Sequence, residues 1–80
     1  MKKVGKVIHY YDKIGVAILE LSETLKVGDK IKFEGHDADF EQVVDSLQVN
    51  HESVQKASAG EMVGLKTEKK VKEGTVVEKI

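Results

Sequence analysis

The chain has 80 residues, no cysteine and no arginine, and its 13 lysines and 14 acidic residues give a formal net charge of −1. This length predicts a single domain over residues 1–80, and the missing cysteines exclude disulfides and thiolate metal sites. The lack of arginine and of a positive excess argues against sequence-specific nucleic-acid readout. No apolar run suits a signal peptide or reaches the ~18 residues of a membrane helix, so we expect a cytoplasmic protein.

The first quarter of the chain predicts two strands joined by a turn. β-Branched and aromatic residues are frequent from Val4 to Tyr11, which favours a strand. Residues 11–15 then turn the chain, and a second strand is predicted from Gly15 to Ser22. This strand is apolar on both faces near its start, as expected for a strand that crosses the interior of a barrel.

A tight corner follows at Leu25–Ile31, with the sequence Leu-Lys-Val-Gly-Asp-Lys-Ile. Gly28 can take the positive φ that such a corner requires and that other residues resist. From Asp29 to Glu34 apolar and charged residues alternate, so Ile31 and Phe33 are predicted to face the core of a strand.

Two interpretations compete for Asp39–Val49. The helical template i, i+3, i+4, i+7 is matched by Phe40, Val43, Val44 and Leu47. A strand with a bulge near Val43 and Val44 explains the same residues, because a bulge shifts the alternation by one position.

The rest of the chain predicts further short elements. Residues 51–58 favour a loop or a single helical turn that faces Val54 and Ala57 inward, and Ala59–Leu65 favours a strand. Lys66–Gly74 is a charged loop, and the last strand closes the sheet. Recurrent short strands with glycine and polar turns are typical of a small all-β barrel or sandwich.

Four of these segments together resemble the second domain of translational GTPases such as elongation factor Tu. They are Gly15-Val-Ala-Ile18, the corner at Leu25–Ile31, Ala59–Leu65 and Lys72–Val76. The resemblance implies an all-β fold, a small closed six-stranded antiparallel Greek-key barrel. Similar barrels occur in stand-alone elongation-factor-like proteins and at the carboxyl end of collagenase-like peptidase homologues linked to RNA modification. The resemblance favours the strand interpretation of Asp39–Val49.

The resemblance also implies a function, a non-catalytic module that docks to RNA or to a ribonucleoprotein such as the ribosome. The chain has no Gly-x-x-x-x-Gly-Lys-Ser/Thr loop, so neither a bound nucleotide nor GTP hydrolysis is expected. Elongation factor Tu uses this barrel to hold the 3′ end of aminoacyl-tRNA, and the matching positions here are Gln48 and Met62. Both depart from the family residues, since Gln48 lacks the charge and Met62 is a poor hydrogen-bonding partner. The alternative is a protein–protein adaptor that recruits an RNA-modifying or peptidase-like enzyme.

Four lysines in one loop are candidate RNA contacts: Lys66, Lys69, Lys70 and Lys72. Lysine binds phosphate as a point charge, so such a cluster suits a nucleic-acid backbone. Glu68 and Glu73 dilute the charge, and a solvated loop is the other interpretation.

A second candidate surface, for a partner protein or a stacked base, ends the first predicted strand. It consists of His9, Tyr10, Tyr11 and Lys13. Exposed aromatic rings beside a lysine can anchor a protein or stack on a base. Tyrosines packed flat on the rim of the barrel are the alternative.

Metal binding and catalysis have little support in the sequence. The three histidines, His9, His36 and His51, lie in different segments, and their spacing matches no metal motif, so we expect no metal and no cofactor. Gly35–Asp39 is predicted to be a polar turn, because the remaining ligands of a calcium loop are missing. No serine has a histidine at a spacing that favours a triad, and the chain is predicted not to be an enzyme.

Overall fold

The computed structural model describes residues 2–35, 38–50 and 52–80, and the regular elements within these ranges are ten β-strands. They are β1 (Lys2–Tyr11), β2 (Val16–Leu21), β3 (Leu25–Lys26), β4 (Lys30–Gly35), β5 (Ala38–Val43), β6 (Leu47–Val49), β7 (Glu52–Val54), β8 (Lys56–Ala57), β9 (Met62–Lys66) and β10 (Val76–Lys79). Over the same ranges there is no helix of the length and apolarity that crossing a membrane requires.

Eight strands form one curled antiparallel sheet in the order β5-β4-β10-β1-β2-β9-β6-β7, and β3 pairs with β8 as a separate ribbon. The predicted all-β antiparallel fold is therefore confirmed. The prediction of a closed six-stranded barrel is wrong, since the sheet is a half-barrel with β5 and β7 at its edges. Strands that were predicted to be continuous are divided into shorter ones by corners.

The corner after β2 shows how one turn divides the sheet. Gly28 has φ 99°, which confirms the predicted left-handed position, and it separates the short β3 from β4. The side chain of Asp29 accepts a hydrogen bond of 2.9 Å from the backbone N–H of Lys26, which holds the corner together. After this corner Ile31 and Phe33 are fully buried, as the alternation predicts.

The segment from residue 39 to residue 49 contains most of β5 and all of β6, and it is not a helix. Val43 is 46% exposed whereas Val44 is fully buried, which the helical template does not allow. β5 ends at Val43, the backbone of Val44 exchanges hydrogen bonds of 2.8 Å with Gly28 and Asp29 just before β4, and β6 begins three residues later. The loop or helical turn predicted for residues 51–58 is also wrong, because this segment contains β7 and β8.

Apolar residues that face the concave side of the sheet form the core. Cross-strand pairing places Ala17 opposite Leu65 and Leu65 opposite Leu47, and all three are fully buried. Phe33 and Phe40 face each other on β4 and β5, with their rings stacked at 4.8 Å. Burial of these side chains is the main source of stability for a domain of this size.

The side chain of Gln42 joins the two halves of the curled sheet. It is only 4% exposed, its Nε2 donates to the carbonyl of Lys66 at 2.9 Å, and its Oε1 accepts from the N–H of Glu68 at 2.9 Å. Gln42 lies on edge strand β5, and its two partners lie at and beyond the end of β9. One amide thus satisfies two backbone groups at the seam, the place where β5 and the end of β9 meet without backbone hydrogen bonds between them.

Candidate functional site

The convex side of β2, β9 and β6 carries a row of outward-facing residues. Ile18 lies opposite Gly64, and Gly64 lies opposite Gln48 on the next strand. Val16 and Met62 precede Ile18 and Gly64 by two positions, so they point to the same face. Val16 and Ile18 are only partly buried, and the core side chains lie on the opposite face of these strands.

These strands form the floor of a groove of about 360 Å³. The described residues that line it are Tyr11, Ile14, Val16, Ile18, Gln48, Asn50, Met62, Val63 and Gly64, and none of these is charged. The groove gathers three of the five large hydrophobic side chains that are exposed in the described residues: Ile14 at 63%, Met62 at 59% and Tyr11 at 48%. Its volume lies within the range of ligand-binding sites.

Gly64 gives the groove its depth. A Cβ atom at this position would lie 3.5 Å from Cγ1 of Val16 and 3.7 Å from Cδ1 of Ile18, which are ordinary contact distances. The backbone therefore has room for a side chain here, and any side chain would occupy the floor of the groove. The absence of a side chain at residue 64 leaves the neighbouring apolar groups uncovered.

Two amide side chains form the polar part of the rim. Gln48 is exposed on β6, and Asn50 lies in the turn to β7 with φ 53°, a left-handed conformation that asparagine tolerates better than most residues. Neither side-chain amide forms a hydrogen bond with another described residue. Both retain donors and acceptors for a bound molecule.

The predicted aromatic cluster at the end of β1 is divided between two faces. Tyr11 lies at the groove. The ring of His9 meets the Tyr11 ring edge-on, with 4.3 Å between the ring centres. Nδ1 of His9 lies 3.3 Å from Oε2 of Glu73. Tyr10 is partly buried and packs against the core, on the same face as Ala17. Lys13 is exposed in the turn that follows.

The four candidate lysines do not line the groove, and their contacts differ. The Nζ of Lys69 lies 5.7 Å from the centre of the Phe40 ring, whereas Nζ of Lys70 lies 3.5 Å from Oδ1 of Asp12. Lys66 is exposed at the end of β9, and the carbonyl of Lys72 accepts a hydrogen bond of 2.7 Å from the Thr75 hydroxyl.

Between Lys66 and β10 the connecting segment is a loop, as predicted, and buried side chains fix it to the body of the domain. Val71 is 1% exposed and packs in the core cluster, and Thr67 and Thr75 are also buried. Its end is held to β1, since the N–H of Gly74 donates to the carbonyl of Val7 at 2.7 Å.

The convex side of β4, β5 and β10 is mostly charged, although Val43 on β5 is an exposed apolar residue. Nζ of Lys32 lies 3.3 Å from Oε1 of Glu34 and 3.8 Å from Oδ1 of Asp39. The hydrogen bond to Glu34 raises the pKa of Lys32. A hydrogen bond with Glu78, aided by Lys32, lowers the pKa of Glu34, and the same bond raises the pKa of Glu78. The two carboxyl groups therefore share a proton more readily than isolated ones.

Metal binding has no support in the described ranges, where no group of three or more histidine, aspartate or glutamate side chains is placed to hold an ion. Of the residues considered for a metal or calcium site, His36, Asp37 and His51 lie outside the described residues.

The sequence prediction missed most of the groove. Val16 and Ile18 belong to the apolar run that was assigned to the interior of a barrel, but their side chains face the convex side. The available signal was that both faces of this strand are apolar although the domain has room for only one core. Gln48, Met62 and Tyr11 were singled out for other reasons, and the structure brings all three to one groove.

Comparison with known proteins gives one relative by sequence and a fold by structure. No family model matches the chain. An uncharacterized protease of Methanocaldococcus jannaschii is 42% identical over 73 residues, which are 90% of this chain, and the chain spans 18% of the length of that protein.

Solved structures with the same fold include the C-terminal domain of a U32 peptidase from Geobacillus thermoleovorans. It has a TM-score of 0.92 at 20% identity and is covered over 92% of its length by 99% of this chain. The selenomethionine variant of that domain also has a TM-score of 0.92, at 18% identity, with coverage of 98% of this chain and 99% of that one.

These comparisons correct the functional prediction. They point to a protease and to the C-terminal domain of a U32 peptidase, so the predicted role in translation, as an elongation-factor-like protein at the ribosome, is wrong. The resemblance to the carboxyl-terminal barrel of collagenase-like peptidase homologues agrees with them. RNA contact by the lysines, Gln48 and Met62 stays a prediction.

Proposed function

We propose that this chain is a non-catalytic adaptor domain that attaches to a peptidase-like enzyme through the groove on β2, β9 and β6. The observation that carries the proposal is the concentration of exposed Tyr11, Ile14 and Met62 around one uncharged groove. Apolar side chains gathered in this way are typical of a surface that another molecule covers.

The kind of partner is inferred from the proteins in which similar domains occur. The segment that matches this chain is 18% of the M. jannaschii protease, so that protein has most of its length outside the domain. The G. thermoleovorans structures are of a C-terminal domain of a longer peptidase. A small β-domain next to a peptidase portion needs a contact surface for it, and the groove supplies an apolar one.

Binding suits the groove better than catalysis. Among the described residues that line it, Tyr11 is the only titratable one, and none of them is a serine, histidine or carboxylate. Peptide hydrolysis needs an activated nucleophile or a metal-bound water together with a proton acceptor. The likeness to the translation-factor barrel enters only as architecture, a rigid sheet that presents a surface.

The experiment measures binding in trans. The M. jannaschii protease is prepared without its matching segment, and titration calorimetry measures its affinity for this chain. We expect saturable binding that Met62→Asp weakens at least about 10-fold, because a charge then enters an apolar contact.

Val43→Asp is the matched control. Val43 is also an exposed hydrophobic residue, at 46%, but it lies outside the groove on edge strand β5, so binding is expected to be unchanged. Absence of binding, or equal losses in the two variants, would refute the proposal.

A further inference from the structure

The groove has a polar rim on one side only, and this asymmetry carries information about what binds. Its floor is formed by Val16, Ile18 and the backbone of Gly64, whereas Gln48 and Asn50 lie on the side of β6. A site for a purely apolar surface would gain nothing from two amides, since each must lose water when the groove is covered. The amides therefore indicate a ligand with polar groups of its own at that rim.

The spacing of the two amides fits a peptide backbone. Gln48 lies on β6 and Asn50 in the turn directly after it, and the extended Val49 between them sets their Cα atoms about 7 Å apart. The same distance separates successive peptide groups that face one side of an extended chain. Because neither amide is bonded to another described residue, both can turn toward such a backbone.

Two other kinds of segment fit the groove less well. The backbone groups within an α-helix are already paired with one another, so a docked helix could offer the rim amides only its side chains and its end groups. A charged segment is disfavoured as well, because no lining residue within the described part of the chain carries a charge, and the ions of the segment would be desolvated without compensation. An extended and uncharged segment satisfies both the floor and the rim.

We infer that the groove receives an extended, uncharged segment of the peptidase-like partner, with one large apolar side chain on the floor over Gly64 and its backbone hydrogen-bonded to Gln48 and Asn50. The inference rests on the proposed function and specifies which groups of the partner are bound, an apolar side chain and a peptide backbone. Gly64 sets the size of the side chain that enters, because a methyl group there already contacts Val16 and Ile18.

Three substitutions test this in the trans-binding assay. Gln48→Leu keeps the size of the side chain and adds apolar surface, so it should weaken binding about 5-fold if a backbone is read, and strengthen it or leave it unchanged if only apolar area matters. Asn50→Gly removes the other amide while permitting the left-handed conformation, and should also cost about 5-fold. Gly64→Val should abolish binding by filling the floor, while a β-branched residue suits the strand.

Gln55→Leu is the control for the glutamine substitution, since Gln55 is exposed and lies outside the groove. If Gly64→Val abolishes binding but Gln48→Leu and Asn50→Gly do not weaken it, the docking function stands and the inference is wrong. If Gly64→Val binds like the unmodified chain, the groove is not the docking site and both fail.

A second measurement does not depend on the partner. The blocked peptide acetyl-Thr-Leu-Thr-amide is titrated into the ¹⁵N-labelled chain, with a dissociation constant of about 1 mM expected for so small a ligand. Shifts should concentrate in β9 and in the side-chain NH₂ of Gln48, and the same peptide with aspartate in place of leucine should give none. No shift in the groove with either peptide, or shifts confined to the Lys66–Lys72 segment, would overturn the inference.

Discussion

The two convex faces of the one sheet differ sharply although their concave faces are alike. On β4, β5 and β10 the outward positions hold charged residues in pairs, such as Lys32 with Glu34 and Lys30 with Glu41. On β2 and β9 the outward positions include Val16, Ile18 and Met62. Both regions bury apolar residues on the inner side with the same period of two. The fold needs only the inner set, so the apolar outer set requires another explanation.

The charged face behaves as an ordinary solvated surface. Its ion pairs are exposed or half-buried at the surface, and surface pairs contribute little to stability. Charges along edge strand β5 also discourage pairing with other chains. The apolar face lacks this protection, which is acceptable when a partner covers it. The buried inner residues thus stabilise the domain, whereas the apolar outer residues of β2 and β9 form a surface that is available for a partner.

The sharpest test of this separation compares two residues of β9. Leu65 is fully buried, and Leu65→Ala should lower the free energy of unfolding by about 2–5 kcal/mol through lost burial and the cavity that remains. Met62 is 59% exposed, and Met62→Ala should change it by no more than about 0.5 kcal/mol. Urea unfolding followed by circular dichroism measures both. Similar losses at the two positions would mean that the convex face belongs to the core.

A second test breaks the connection between the two halves of the sheet. Gln42→Leu removes the donor to Lys66 and the acceptor for Glu68, so two backbone groups lose their partner at the seam. We expect the free energy of unfolding to fall by about 2–4 kcal/mol, because each unsatisfied group costs about 1–3 kcal/mol. The exposed Gln55→Leu is the control in the same urea experiment. A change below about 0.5 kcal/mol would show that the seam does not need this amide.

The inner faces were the predictable part of the fold. Alternation at Ile31 and Phe33 and the left-handed Gly28 follow from local sequence, and the structure confirms them. Gln42 was beyond such reasoning, because a polar residue at an inward position looks like a break in the pattern. The neighbouring Val43 then fits a helical template although it faces outward. The helical template considers only apolar residues. It therefore cannot identify Gln42, a polar residue that is buried because its amide bonds to the backbone.

The groove was also beyond local reasoning. It depends on Ile18 lying opposite Gly64, a pairing between distant parts of the chain that a period of two does not specify. The contacts of the lysine cluster were beyond it too, because Lys69 and Lys70 are adjacent in sequence yet Lys69 lies over Phe40 on β5 and Lys70 pairs with Asp12 in the turn after β1. Whether these lysines bind RNA stays a prediction.

The smallest expected effect lies on the charged face and depends on pH. Because the pKa of Glu34 is lowered in the folded protein, its contribution to stability is present at neutral pH and is lost as the pH falls through that pKa. The pKa of Glu78 is raised, so its contribution is present in acid and is lost as the pH rises through that pKa. Above the raised pKa of Glu78 the two carboxylates therefore repel each other across β4 and β10.

Glu78→Gln tests this balance, because glutamine can still donate a hydrogen bond to Glu34 but carries no charge. We expect a small rise in the thermal midpoint at about pH 7 and none at about pH 3, where the carboxyl group is already protonated. Glu52→Gln, on the exposed strand β7, is the control for loss of a negative charge in general. Added salt should reduce the gain at neutral pH, since both groups are exposed to solvent. A lower midpoint at neutral pH, or an equal rise at both pH values, would show that the carboxylates do not oppose folding.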